Sequence, residues 1–277
     1  PENAKILKKK NSLVESVALP RIFGLFFNQN QNQIFTDKNI REAIDKAINK
    51  ERIVNEVLGG YGIVIENPIP PNIIVYEKLI KNNNQLQEER TKKAQDILVK
   101  DGWKIGPNGF LEKNTIVKKK KINQILEFSI STGNTGDLVK SAELIKEDLT
   151  ALGMKVDIKT FEGGNLNQGV IRPRKYDVLL FGQIINHESD LLAFWHSSQR
   201  NDPGLNVAMY TNVKVDKILE SAFITTDEKS RIKKYAEFES EIKKDIPAVF
   251  LYSPNFIYIV SKSLKGLNVN HNTSPSN

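Results

Sequence analysis

Residues 126–182 read LEFSISTGNTGDLVKSAELIKEDLTALGMKVDIKTFEGGNLNQGVIRPRKYDVLLFG, and three periodicities follow one another in them. Leu126, Phe128 and Ile130 alternate with Glu127, Ser129 and Ser131, the period of a strand buried on one face. A helix is expected from Leu138 to Leu152, stopped by Gly153, because glycine enters the left-handed C-cap cheaply. Met154, Val156 and Ile158 then alternate with Lys155, Asp157 and Lys159. A short helical segment at 166–171 leads to YDVLLFG at 176–182, a continuous apolar run of the kind buried on both faces of a sheet. Strand–helix–strand–helix–strand is the βαβ pattern, so the reading is α/β with parallel strands and right-handed crossovers.

Upstream, residues 14–30 read as extended chain, with Pro20 and Gly24 breaking any helical period. Ile40, Ala43, Ile44, Ala47 and Ile48 have helical spacing, and a second start at Asn49 carries Ile53, Val54, Val57 and Leu58. Gly59 and Gly60 stop that helix, and the ENPIPPN segment, with three prolines in four positions, reads as an extended linker. A further helix runs from Arg90 to Gly102, and Asn108-Gly109 marks a tight turn. Downstream, Ile218, Leu219, Ala222 and Phe223 define one helix; Ile232, Ala236, Phe238 and Ile242 define another. Thr225 and Glu228 stand at capping-box spacing before the second, Pro247 stops it, and AVFLYSPNFIYIVS at 248–261 returns as strand. Extended segments therefore open and close the chain around an α/β unit, a layout that suits one lobe inserted into another.

The 277 residues, 39% hydrophobic and 26% charged, are ordinary for a globular α/β protein, and no apolar run reaches the length of a membrane span. The absence of cysteine removes disulfides, zinc fingers, thiolate nucleophiles and iron–sulfur clusters. A net charge of +7 invites a nucleic-acid reading, but the basic clusters, Lys8 to Lys10 and Lys118 to Lys121, lack interleaved aromatics and read as solvated turns.

Chemistry concentrates in residues 186–206, NHESDLLAFWHSSQRNDPGLN, which hold two of the three histidines. A serine hydrolase would use His196 with Ser197 or Ser198, yet no Gly-x-Ser-x-Gly turn is present, and neighbouring residues on a helix do not face each other. His187 and His196 are nine apart, and Glu188 and Asp190 lack a third fixed ligand, so no metal site is expected. The Gly-rich GGYG and EGGN lack the features of a phosphate loop. Binding remains: clefts in α/β sheets open at strand carboxyl ends, where Phe181, Trp195, Tyr210 and the polar loop 197–206 follow YDVLLFG, although Trp195 also suits a core position.

Several segments, in order, resemble the extracellular solute-binding proteins of the peptide/nickel type that serve ABC importers (solute-binding family 5). LPRIFGLFFNQNQNQIFTDKNIREAIDKAINKERIVNEVLGGYGIVIENPIPPN, KAQDILVKDGW, AELIKEDLTALGMKVDI, YDVLLFG, NVAMYTNVKVDKILESA and DIPAVFLYSPNFIYIVSKSLKGL are similar to stretches of that family's C-terminal half. The resemblance implies a periplasmic-binding-protein-like (type II) lobe, with a mixed sheet, flanking helices and the crossover strands of an N-terminal lobe upstream of Pro1. Residues 33–246 would form the C-terminal ligand-binding lobe; residues 1–32 and 247–277 would form the hinge strands, crossing at about 14–31 and 247–261, and a remnant of lobe I. It further implies hinge closure on an oligopeptide or peptide-like solute, docking on an ABC permease, no cofactor, no catalysis, a monomer, and a cell-envelope location as a lipoprotein. The family's amine-binding acid after the YDVLLFG-type strand has no counterpart here, where Gly182 to Asn186 contain no carboxylate. The expected ligand-binding residues are Asn28, Phe181, Gln183, Asn186, His187, Glu188, Trp195, Arg200, Asn206 and Tyr210. A non-transport interaction module on the same fold is the alternative.

Overall fold

The computed structural model describes residues 12–71, 73, 86–117 and 120–261. The lysines at 8–10, Lys118 and Lys119, Asn72 of the proline-rich linker, and the expected remnant beyond 261 lie outside the described residues.

Strands β1 (Ser12–Ala18) and β2 (Arg21–Phe27) open the chain. Helix α1 (Lys38–Ala47) begins where the Asp37 carboxylate accepts from the Asn39 N–H, and α2 (Lys50–Glu56) begins where the Asn49 side chain accepts from the Arg52 N–H. Both helices expected between 37 and 58 are therefore present, parted at Ile48, whose backbone is extended. Gly59 and Gly60 take positive φ, and β3 (Gly62–Val64) follows. Helix α3 (Gln87–Lys100) starts three residues before Arg90, where its exposed first turn carries no apolar period. A three-stranded sheet of β4 (Lys104–Ile105), β5 (Leu111–Val117) and β6 (Lys120–Ile125) then folds about the Asn108-Gly109 turn.

The βαβ unit is present: β7 (Glu127–Gly133), α4 (Gly136–Ala151), β8 (Lys155–Phe161), a π-type turn at Leu166–Ile171, and β9 (Val178–Ile184), with β8 and β9 both parallel to β7. The short α5 (Asp190–Trp195) precedes α6 (Val213–Ile224), α7 (Glu228–Asp245) and β10 (Ala248–Ser261). One cap differs from expectation. Asp227, not Thr225, caps α7 by accepting from the Ser230 N–H, while the Thr225 hydroxyl donates to the Ser221 carbonyl at the end of α6. Asp227-x-x-Ser230 and Thr225-x-x-Glu228 are overlapping frames; the Asp227 frame prevails and leaves Thr225 to close α6.

The main sheet has the order β1-β10-β2-β9-β7-β8, with β3 added to β10. β10 runs antiparallel first to β2 (Ala248 opposite Phe26) and then to β1 (Asn255 opposite Ala18, Ser261 opposite Ser12). One half of β10 thus lies in the sheet and the other half leaves it as a two-stranded ribbon. Two cores flank the sheet. One gathers Leu25, Phe27, Phe35, Ile44, Ile53, Leu98, Trp103, Ile130, Ile145 and Leu180 under α1–α4; the other gathers Ile22, Phe26, Leu179, Leu191, Trp195, Leu219, Phe238 and Phe250 under α5–α7.

Four buried tyrosines make these cores sensitive to alkali. Burial pushes the Tyr235 and Tyr252 phenols up to about 12, and it pushes Tyr176 and Tyr210 up as well. A raised phenol binds its proton more tightly folded than unfolded, so its contribution is complete below the unfolded value near 10 and is lost as pH rises through the folded value. Stability is expected to fall above pH 10 by on the order of 1 kcal/mol per pH unit for each such tyrosine. Urea midpoints at pH 9, 10 and 11, read beside phenolate absorbance, check this; a flat midpoint across that range contradicts it.

Candidate functional site

The parallel strands β7, β8 and β9 end at Gly133, Phe161 and Ile184, and β2 begins at Arg21 opposite Ile184. The ribbon of β1 and β10 leaves the sheet past this same edge, since β10 runs from Phe26 toward Phe23 and onward. Strand carboxyl ends, the first turn of α4 and the root of the ribbon therefore meet at one rim, the usual place for a cleft in an α/β sheet.

Of the sequence-expected residues, Phe181, Gln183, Asn186, His187 and Glu188 lie here. Along β9, Leu179 and Phe181 face the second core while Val178 and Leu180 face the first, so Gln183 shares the face of Phe181. Phe181 is half-buried, as are Phe161 and Leu192, which join it against that core. Gln183 is 2% exposed. Asn186 and His187 are exposed, and their backbone N–H groups both donate to Asp190 Oδ2, at 2.9 and 3.1 Å. That carboxylate sits in the first turn of α5 and folds the exit of β9 back onto the sheet. Glu188 is half-buried, 3.8 Å from Arg231 of α7, and its charge adds to the burial that raises the Tyr235 phenol. Asp190 enters the sequence reading only as a metal-ligand candidate, and Arg231 and Phe161 do not enter it. An aspartate four residues after an exposed Asn is the signal that could have found Asp190.

The other five expected residues are placed elsewhere. α5 carries the chain away from this rim, and the loop after it returns to the opposite edge, where the parallel strands begin. There the buried Asn28 donates to the Arg174 carbonyl at 2.8 Å and accepts from the N–H groups of Asn30 and Gln31. Arg174, at φ 56°, donates in turn to the carbonyls of Ile171, Arg200 and Gly204. Arg200 donates to the Ser197 carbonyl within its own loop. Asn206 is fully buried, donating to the carbonyls of Trp195, His196 and Tyr210 and accepting from the Tyr210 N–H. The Tyr210 hydroxyl donates to Asp245 at 2.5 Å, just before β10. Trp195 is 0% exposed, enclosed by the rings of Phe26, Tyr210, Phe238 and Phe250. These side chains build the loop and the core; none is turned to the rim.

The histidine–serine pair has its own geometry. Ser197 donates through both its N–H and its hydroxyl to Asp216, at 2.9 and 2.6 Å. His196 Nδ1 lies 2.8 Å from Ser198 Oγ and also accepts the Ser198 N–H at 3.2 Å; its Nε2 lies 3.2 Å from Glu220. With Nδ1 accepting, Nε2 carries the proton and donates to Glu220. The imidazole thereby caps a three-residue 3-10 turn. The N–H groups of Ser198 and Gln199, the nearest donors for an oxyanion, are already given to His196. An oxyanion at Ser198 would have to compete with these bonds for its donors. Among the described residues, no cluster of three or more His, Asp or Glu could hold a metal ion, and no helix is long and apolar enough to cross a membrane.

The sequence model for the bacterial extracellular solute-binding proteins, family 5 (middle region), matches residues 1–203. The chain belongs to that family. A family 5 relative, the oligopeptide-binding protein AppA of Bacillus subtilis (strain 168), is 31% identical over 268 residues, which are 95% of this chain and 47% of the relative. The glutathione-binding protein GsiB of Pectobacterium atrosepticum is 27% identical over 284 residues, 97% of this chain and 49% of its own. The chain spans about half the length of the curated relatives it matches. Among solved structures, AppA from Bacillus subtilis in complex with a nonapeptide superposes with a TM-score of 0.77 at 27% identity, over 97% of this chain and 52% of that one. NikZ from Campylobacter jejuni in complex with Ni(L-His) gives 0.75 at 26%, over 97% and 52%. The mixed sheet with helices on both faces is the architecture of family 5 structures.

Proposed function

We propose that this chain is the C-terminal ligand-binding lobe of an ABC importer's substrate-binding protein. Residues 33–246 form the lobe, completed by β2 and the first half of β10 in its sheet, which the expected boundaries had left outside. The ribbon of β1 and the second half of β10 is its connection to an N-terminal lobe. The observation that carries the reading is the ribbon of β1 and β10, which leaves the sheet at the rim where the parallel strands end. Two antiparallel strands rising from a cleft rim make a hinge: small changes at Leu19 and Pro20, and at the β10 irregularity between Phe250 and Tyr252, reorient what they carry. Membership of family 5, and relatives named for binding oligopeptides and glutathione, support a peptide or peptide-like ligand.

On this reading the protein works outside the cytoplasm at the cell envelope, as a monomeric lipoprotein that delivers its ligand to a membrane permease, and it has no catalytic role and no nucleic-acid partner. The rim residues Phe181, Gln183, Asn186 and His187 face the ligand, with Glu188 held beside them by Arg231. Native mass spectrometry of the full-length gene product carrying this chain, followed by calorimetric titration with peptide pools and small solutes, tests it. A peptide carried through purification, or a pool bound with micromolar or tighter affinity, is the expected result. Failure of every pool to bind overturns the transport reading and leaves an interaction module on the same fold.

A further inference from the structure

We infer that the Gln183 side-chain amide reads the ligand, and that it selects a peptide bond over a free ammonium group. The inference rests on the reading of this chain as a ligand-binding lobe. Gln183 is 2% exposed at the carboxyl end of β9, and its Oε1 is buried without a hydrogen-bond partner. Asn28 makes three side-chain hydrogen bonds and Asn206 four. Asn255 Oδ1 on β10 and Gln87 Oε1 on α3 are also unpartnered, but Asn255 donates to Ser16 and Gln87 to the Ala47 carbonyl, whereas Gln183 sits at the carboxyl end of a central strand. Trp195 Nε1 is also unpartnered, but it lies inside the ring of aromatic side chains, away from the rim. An orphaned buried acceptor is costly to keep, and folds retain one where a ligand completes it.

The electrostatics of the strand exit point to the kind of group that does so. Between residues 182 and 190 the carboxylates are Glu188 and Asp190. Asp190 Oδ2 accepts from two backbone N–H groups, and Glu188 faces Arg231. The other polar groups at the exit are the buried Gln183, the exposed Asn186 and His187, and Arg21 opposite Ile184, none of them a carboxylate. An ammonium group entering there would lose water for an uncharged acceptor, an unfavourable exchange. A peptide bond brings one donor and one acceptor, and a side-chain amide answers both, whichever way round it sits.

The full-length gene product, titrated with a mixed hexapeptide pool before and after N-acetylation of the pool, tests this. Acetylation is expected to change the apparent Kd by less than about threefold. Gln183→Leu, close in volume and without the amide, is expected to raise the Kd about tenfold, the scale of one lost hydrogen bond, while the ligand-free melting temperature holds or rises. Gln183→Glu is expected to shift preference toward the free-amine pool and serves if the leucine variant does not fold. Unchanged affinity in both variants, or abolition of binding by acetylation, overturns the assignment. A lower melting temperature with affinity retained makes the amide structural and overturns it equally. A parent protein that binds neither pool instead refutes the transport reading on which the inference stands.

Discussion

Trp195→Ala is expected to destabilise the protein by about 3–5 kcal/mol, the scale of removing a fully buried indole from a close-packed core. The side chain is 0% exposed, and the ring centroids of Phe250, Phe26, Phe238 and Tyr210 lie 5.7, 6.2, 6.3 and 6.4 Å away. Those four rings come from β10, β2, α7 and the loop before α6. One truncation therefore opens a cavity shared by the sheet and the helical layer over it, and such a site collapses poorly. Trp195→Phe keeps an aromatic ring and removes an indole N–H that has no partner, so it is expected to cost less than half as much. Urea unfolding of each variant measures both. A midpoint for Trp195→Ala close to that of the parent would return this residue to the cleft.

Arg41→Met is expected to cost about 3–5 kcal/mol by a different route. The guanidinium is 6% exposed on α1 and donates from Nη1 to the Phe35 carbonyl, from Nη2 to Asp245 at 2.7 Å and from Nε to Ile246 at 2.9 Å. The last two carbonyls end α7, where Ile246 takes a left-handed conformation with φ 50° before the chain turns into β10. Burial pulls the guanidinium's pKa below its ordinary value, and the nearby Asp245 pulls it partly back. Methionine fills much of the volume but leaves the buried Phe35 carbonyl and the part-buried carbonyls of Asp245 and Ile246 without this donor. Arg41→Lys is expected to recover only a minor part, because an ammonium cannot present a planar fork to three diverging acceptors. Equal stability of the lysine and arginine proteins would show that charge alone, without the fork, is what the turn requires.

Much of the fold was legible in the sequence because its signals are local. The alternation at Leu126 to Ser131, the glycine stop at Gly153 and the double start at Asp37 and Asn49 each state a backbone conformation within a few residues. The site was less legible, for a geometric reason. Alternation tells which face of a sheet a side chain joins, but not which end of the sheet a following loop reaches. Gln183 lies near the end of β9 and Asn186 to Glu188 follow the strand directly, so they stay at its carboxyl end. Arg200, Asn206 and Tyr210 come after α5, which carries the chain across the sheet, and no spacing in residues 186–206 records that crossing. Trp195 shows a second limit. An aromatic residue at helical spacing suits a cleft wall or a core, and only the four rings around it, drawn from residues 26 to 250, distinguish them.

The position of β2 also governs how the chain must fold. This early strand lies at the centre of the sheet, between β9, which begins about 150 residues after β2 ends, and β10, which lies about 220 residues on. Neither of its backbone edges can be satisfied locally, so an unusually large loop closure precedes the first stabilising pair on each side. Folding of this sheet is thus expected to be slow and long-range, with RIFGLFF standing meanwhile as an apolar strand with two open edges. A protein with this topology depends on whatever shields residues 21–27 until the last strand arrives.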